Sequence, residues 1–432
     1  MDEPSEPVVS ESPAELARKG ALALSSLSGA AVWWIAAQGL GFLSVVIVSR
    51  ALGPEGYGRL GLAMAIGTYL CFINQWGIDV LLARMLVRDG PANAGRHLAA
   101  FLRQKQVSGA ILFAAVAAAC ASGIAGRESG LVFVGAISGL SLSLTVPAAF
   151  DAQRRQGTYL AFASARQLFF VLATFVLWKS GSAALPLVLG ILIADATSVI
   201  LQIALEWGWI RKTFGPLQWN NASAEARELW RSAIPTALAY TSLQALTLSG
   251  PVLIEMFGDK HELGALVASN QLATVAASLA GLLTRAVHVR LAAIPDAHGA
   301  LFRRRVWLST LGMTGLGVAA AIPFLFVSDW SVQLVFGQRF NAAAPLLSID
   351  VWRVAGMLAS AVLGSALICQ QRVRAYAACH VLAMIAGLAV AIVYVPTRGA
   401  IAAVAGVAIG RAAFAIFAAI VLCLSSARKT EA

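Results

Sequence analysis

Charge is what this chain has least of. Asp, Glu, Lys and Arg make up 12% of its 432 residues, about half the roughly 25% usual in soluble domains. With 59% of the residues hydrophobic, that poverty excludes an ordinary water-soluble globular protein. Cysteine is scarce as well. The five (Cys71, Cys120, Cys369, Cys379, Cys423) show no Cys-x-x-Cys spacing, which excludes a disulfide-stapled scaffold and a thiolate metal site and leaves them as small packing residues. Also missing are a phosphate-cradling Gly-rich loop with Lys, a His/Cys metal spacing and a nucleophile motif. The expectation is therefore no enzyme, no cofactor, no metal and no use of ATP. Residues 1–21 begin acidic and rich in Pro and Ser, with no basic n-region. They read as a disordered tail and not as a cleaved signal peptide.

What the chain does have is apolar length. A helix crossing about 30 Å of hydrocarbon needs roughly 20 apolar residues. Runs of that kind fall at 28–49, 60–82, 107–124, 130–150, 159–178 and 184–205, then at 234–257, 263–283, 306–327, 346–368, 375–395 and 401–424. The fold class is accordingly all-α: a polytopic membrane protein of about twelve transmembrane helices. The net charge of +11 could suggest nucleic acid, but its distribution argues against that. The tails and even-numbered loops hold 22 of the 32 Lys and Arg, among them Arg303-Arg304-Arg305. The odd loops hold 7, and Arg166, Arg353 and Arg411 lie inside runs. That bias puts both termini on the cytoplasmic side.

The runs divide six and six. A cytoplasmic linker at 211–231, with Trp219, Trp230, Arg227 and Arg231, joins an N-terminal bundle at 22–210 to a C-terminal bundle at 232–425, and 426–432 form a second tail. The halves resemble each other. Gln153-Arg154-Arg155-Gln156-Gly157-Thr158-Tyr159 parallels Gln370-Gln371-Arg372-Val373-Arg374-Ala375-Tyr376, and Asp195 falls opposite Arg411. An even number of spans per half gives a parallel repeat, an arrangement transporters use to rock two bundles about a central site.

Two stretches carry a resemblance. One is Val48-Ser49-Arg50-Ala51-Leu52-Gly53-Pro54-Glu55-Gly56-Tyr57-Gly58. The other is Leu334-Val335-Phe336-Gly337-Gln338-Arg339-Phe340, followed by Ala342-Ala343-Ala344-Pro345-Leu346-Leu347. Together they resemble the bacterial lipid-linked oligosaccharide flippases, which move O-antigen or exopolysaccharide repeat units. These form the polysaccharide-transport branch of the multidrug/oligosaccharidyl-lipid/polysaccharide exporter superfamily. The resemblance implies an undecaprenyl-pyrophosphate-type glycan as cargo, membrane lipids around it, and a polysaccharide polymerase and chain-length machinery as companions. It implies the inner membrane as location and alternating access as mechanism.

A pyrophosphate asks for Arg, whose planar fork bonds phosphate oxygens two at a time. The candidates are Arg50, Arg84, Arg166, Arg285, Arg353 and Arg411, with Asp79, Asp195 and Asp350 as candidates for ion coupling. Each has a plainer reading. Arg411 and Asp195 could pair across the halves, Asp350 and Arg353 share a helix face, and Arg50, Arg84 and Arg285 could anchor span ends. Asn74, Gln75, Gln244, Asn270 and Gln271 suit either sugar binding or interhelical bonding, and His380 is either proton-sensitive or simply packed. Rival functions are a multidrug exporter of cations, which would want an acidic aromatic cavity, a membrane polymerase or ligase, which would want a large periplasmic loop, and a non-transporting scaffold.

Overall fold

A computed structural model describes residues 13–123, 126–181, 184–292 and 299–427, and every regular element among them is helical. Hydrocarbon offers no water to free N–H and C=O groups, so each apolar run must satisfy its backbone internally. The first half comprises α1 (Pro13–Gln75), α2 (Ile78–Arg88), α3 (Gly90–Ala121), α4 (Ser129–Leu142), α5 (Pro147–Ala152), α6 (Gln156–Lys179) and α7 (Ala184–Phe214). The second half comprises α8 (Ala222–Phe257), α9 (Lys260–Ala292), α10 (Gly299–Ala321), α11 (Phe324–Phe336), α12 (Ala343–Asp350), α13 (Trp352–Cys369), α14 (Val373–Arg398) and α15 (Ala400–Ala427). The chain is a multi-pass membrane protein: among the described residues nine helices are long and apolar enough to cross a bilayer, ten with the bent pair α10–α11. α1 carries two expected runs around a bend at Gly53, whose φ of 66° suits glycine, and α9 carries the run at 263–283. Large apolar side chains such as Phe326, Leu311 and Val32 stand exposed around the outside, as a lipid-facing surface requires.

The helices depart from simple rods where the sequence forces them to. The run at 130–150 breaks at 143–146, because Val146 precedes Pro147 and leaves the helical region, with φ −128° and ψ 63°. The run at 306–327 ends at Ala321, and beyond Pro323 the chain turns by 58° into α11. Residues 13–21, assigned by composition to a disordered tail, are the start of α1; a helix already nucleated by its apolar part extends at little cost. Residues 1–12 lie outside the described residues.

The internal repeat is visible in the backbone. Arg154 and Gln371, 217 residues apart, both take positive φ (55° and 58°). After each, the next amide reaches back to the same place: Arg155 N–H to Phe150 O at 2.8 Å, Arg372 N–H to Leu367 O at 2.9 Å. These are matching helix C-caps in the two halves.

The lobes meet at the end opposite the termini. A Cβ on Gly58 would stand 2.8 Å from the Gly264 nitrogen, and one on Gly264 would collide with the Pro54 carbonyl. Tyr57 completes this seal, with ring centroids 5.9 Å from Phe336 and 5.8 Å from Phe340. At the termini end the start of α8 lies on the first half. Arg96 Nε is 2.6 Å from Glu225 Oε1, and Trp76 Nε1 donates to Trp230 O at 3.2 Å.

Candidate functional site

Between the lobes lies a cavity of about 410 Å3. Its walls come from α1 on both sides of the Gly53 bend and from α6 and α7 of the first half, and from α8, α9 and α13 of the second. Tyr57 and Val48 at the sealed end are 5% and 3% exposed, while Gln38, toward the termini, is exposed. The space is therefore accessible from the termini end. Its polar lining includes Gln38, Thr68, Gln167, Asn270, Gln271 and Thr274.

Of the nine candidate charges, Arg166, Asp195 and Arg353 line this cavity. Arg166, partly buried on α6, makes no hydrogen bond or ion pair with a described residue. Its five donors are open to the cavity. Asp195 on α7 accepts a hydrogen bond from Ser138 Oγ at 2.5 Å. Arg353 is the opposite of Arg166. Its Nε is 3.2 Å from Asp350 Oδ1, Nη1 donates to Asn270 Oδ1 at 3.1 Å, and Nη2 donates to Asn270 O at 2.8 Å and Thr274 Oγ1 at 3.1 Å. At 6% exposure it ties α13 to α9 and has little left to give a ligand. Asp350, fully buried, also meets Ser269 Oγ at 3.4 Å.

Arg411 stands one layer behind the wall and donates from Nη2 to Thr247 Oγ1, itself a lining atom group, at 3.2 Å. The pairing of Arg411 with Asp195 is not what forms. They have separate partners, because the lobes are apart at that depth and Thr247 stands in front of Arg411. Arg50 is exposed at the sealed end, donating to Leu334 O at 2.9 Å, and Arg84 is exposed at the termini end. Neither lines the cavity. The side chain of Arg285 lies outside the described residues. Asp79 is also outside the cavity wall, with a buried Oδ1 that has no hydrogen-bond partner among the described residues. Asn270 and Gln271 face the cavity; Asn74, Gln75 and Gln244 do not line it. His380 is packed against Phe414 and Tyr376, centroids 4.1 and 4.6 Å away.

Sequence reasoning missed a buried polar network behind the first-half wall. Lys105, 1% exposed, donates from Nζ to Asn74 O at 3.0 Å. It caps the C-terminal end of α1, where the helix stops before Gly77. Asn74 Nδ2 reaches Ser143 Oγ at 2.6 Å. Glu206, fully buried, accepts from Val146 N–H at 2.8 Å and from Gln202 Nε2 at 2.7 Å. It satisfies the backbone group released by the break before Pro147. Both residues stand just outside the expected apolar runs at 107–124 and 184–205.

Two helical lobes joined in tandem are thus in contact at one end and parted around a polar central cavity. The chain belongs to the polysaccharide biosynthesis protein family, whose model matches residues 28–289. Solved structures with the same fold include an inward-facing multidrug resistance MATE family transporter of the MOP superfamily. It is 15% identical, with a TM-score of 0.72 over 91% of this chain and 96% of that one. The lipid II flippase MurJ in an inward closed conformation matches at 13% identity and TM-score 0.66, over 91% of this chain and 87% of that one. A MOP superfamily transporter from Pyrococcus furiosus Vc1, described as having reverse polarity in its binding pocket, matches at 13% and 0.65, over 93% and 95%. No curated protein matches the sequence.

Proposed function

We propose that this protein is a flippase that carries a polyprenyl-pyrophosphate-linked oligosaccharide from the cytoplasmic to the periplasmic leaflet of a bacterial inner membrane. The observation that carries this reading is Arg166, a guanidinium with no hydrogen-bond or ion-pair partner among the described residues, on the wall of a polar cavity between two lobes. A buried or half-buried charge in a membrane helix is costly, about 2.5–3.5 kcal/mol at the bilayer centre on insertion scales, and marks a functional path. Arg166 supplies the planar fork that suits a pyrophosphate. The amides of Gln38, Gln167 and Gln271 offer donors and acceptors to sugar hydroxyls, while the prenyl tail stays in lipid. Family membership supports a glycan cargo.

The positive-inside bias places the termini in the cytoplasm, so this conformation faces inward and the contact of Gly58 with Gly264 is the outer seal. Cargo binding draws the lobes together around the headgroup, and the seal parts. Asp195 is the carboxylate that a coupling proton or sodium ion meets, since it lines the same space and its side chain has Ser138 as its one hydrogen-bond partner among the described residues. Asp195 is also the one feature that favours a cationic drug as cargo. Against it, Arg353 spends its charge on Asp350, so Arg166 and Asp195 decide the sign of the pocket between them, and Arg411 adds a second positive charge just behind. The deciding experiment is Arg166→Gln. Lipid-linked oligosaccharide accumulates in the cytoplasmic leaflet while the protein inserts in normal amount. Unimpaired glycan export by that variant, or export of a cationic dye by the wild type that Asp195→Asn abolishes, overturns the reading.

A further inference from the structure

We infer that a second site, separate from the central cavity, receives the phosphate of a lipid headgroup at the termini end of the C-terminal lobe. A groove of about 520 Å3 lies there between the α13–α14 turn and α8, lined by Pro235, Gln371, Arg372, Val373, Arg374 and Ala375. Arg372 is partly buried, Arg374 is exposed, and neither side chain makes a hydrogen bond or ion pair with a described residue. The rigid turn holds them in place: Gln371 sits at positive φ, and the Arg372 amide is bonded back to Leu367 O. Two guanidiniums lining one groove match the several acceptor oxygens of a phosphate group.

The surroundings point to lipid. On α8, next to Pro235, Ile234 and Leu238 are 51% and 48% exposed. They are exposed apolar side chains beside the groove residue Pro235, of the kind an acyl or prenyl chain packs against. Trp230, 39% exposed, lies more than a turn earlier on the same helix, toward the end where an indole settles at a headgroup interface. The equivalent turn of the N-terminal lobe presents Arg154 and Arg155, both exposed, with the same backbone geometry. The positively charged turn is thus a property of the repeat and not of one loop.

The headgroup could belong to a membrane phospholipid or to the cargo lipid, and both carry the chemistry inferred here. The test is native mass spectrometry of the full chain in mild detergent, titrated separately with phosphatidylglycerol, farnesyl pyrophosphate, diacylglycerol and inorganic phosphate. The wild type retains one or both phosphate-bearing lipids and not diacylglycerol. The double variant Arg372→Gln/Arg374→Gln needs about tenfold more lipid for equal occupancy, as losing one charge-assisted bond of about 1.5 kcal/mol would give. Preference for phosphatidylglycerol assigns the site to membrane lipid, and preference for farnesyl pyrophosphate assigns it to cargo. Removing equal charge elsewhere at this end, with Arg211→Gln/Lys212→Gln, leaves occupancy unchanged. Equal loss in that control, undiminished binding in the groove variant, or retention of inorganic phosphate without lipid each overturns the inference. Arg166→Gln leaves phosphatidylglycerol occupancy unchanged. The farnesyl pyrophosphate titration of the groove variant is repeated in that background, so that pyrophosphate held in the central cavity is not counted. This keeps the outcome independent of the central-cavity reading.

Discussion

The two lobes each place an arginine on the cavity wall and use it in opposite ways. Arg353 in the C-terminal lobe is held by Asp350, Asn270 and Thr274, whereas Arg166 in the N-terminal lobe touches no acid or hydrogen-bond acceptor among the described residues. The residue type is the same and so is the cavity. What differs is whether neighbouring side chains have already used the charge. A guanidinium whose donors are engaged stabilises the protein, and one whose donors are open binds a ligand. Replacing each by methionine tests this directly. Arg353→Met leaves Asp350 buried without its counter-charge, and loses about 3–5 kcal/mol of stability, read as resistance to chemical unfolding in mild detergent. Arg166→Met breaks no hydrogen bond or ion pair with a described residue, and stability stays within about 0.5 kcal/mol. Pyrophosphate binding shows the reverse order, with Arg166→Met weaker by about 1.5–3 kcal/mol and any surviving Arg353→Met nearly unchanged. Equal stability losses in the two variants would erase the distinction.

The next largest effect sharpens the contrast between the sealed and the accessible end. Gly58 and Gly264 meet backbone to backbone, so a side chain at Gly58 meets the Gly264 nitrogen, which cannot swing aside as the nearby Leu263 side chain can. Gly58→Val costs the sealed state about 1–3 kcal/mol, and the lobes part there. A cysteine placed at Gln38 then reacts more slowly with an impermeant maleimide added from the termini side, by about fivefold or more at that energy. Unchanged labelling would mean that the glycine contact does not hold the lobes together.

Much of this was legible in the residues. Apolar runs about 20 residues long dictate the spans, and the paired turns at Arg154 and Gln371 were visible as a repeated Gln-Arg-rich stretch before the backbone showed them superimposable in kind. The breaks were less legible. Pro147 and Pro323 do interrupt their runs, but an apolar count does not register a change of direction. The buried Lys105 and Glu206 were hidden for a related reason. A charge within a turn of an apolar run's end reads as interfacial, and only packing reveals that it serves a neighbouring helix's broken backbone. The difference between Arg166 and Arg353 was half legible. Asp350 three residues before Arg353 announces a local pair, whereas the partners Asn270 and Thr274 come from a helix about eighty residues away, which spacing cannot supply.

The smallest effect concerns Asp195 and Asp350, the acids of the same two walls. Asp350 is fully buried and answers to Arg353; Asp195 lines the accessible space and has Ser138 as its hydrogen-bond donor. Ser138→Ala removes that bond, but water in the cavity can take the hydroxyl's place, so the loss stays within about 0.5–1.5 kcal/mol. The same measurement on Ser269→Ala, beside Asp350, is the matched comparison, since no water reaches a carboxylate at zero exposure to replace the lost donor. The long 3.4 Å contact there weakens the bond but leaves an oxygen dry. If Ser138→Ala proves the more damaging of the two, Asp195 is not bathed by the cavity. The N-terminal wall would then be as closed as the C-terminal one, and the availability of Arg166 would have to be explained by something other than solvent access.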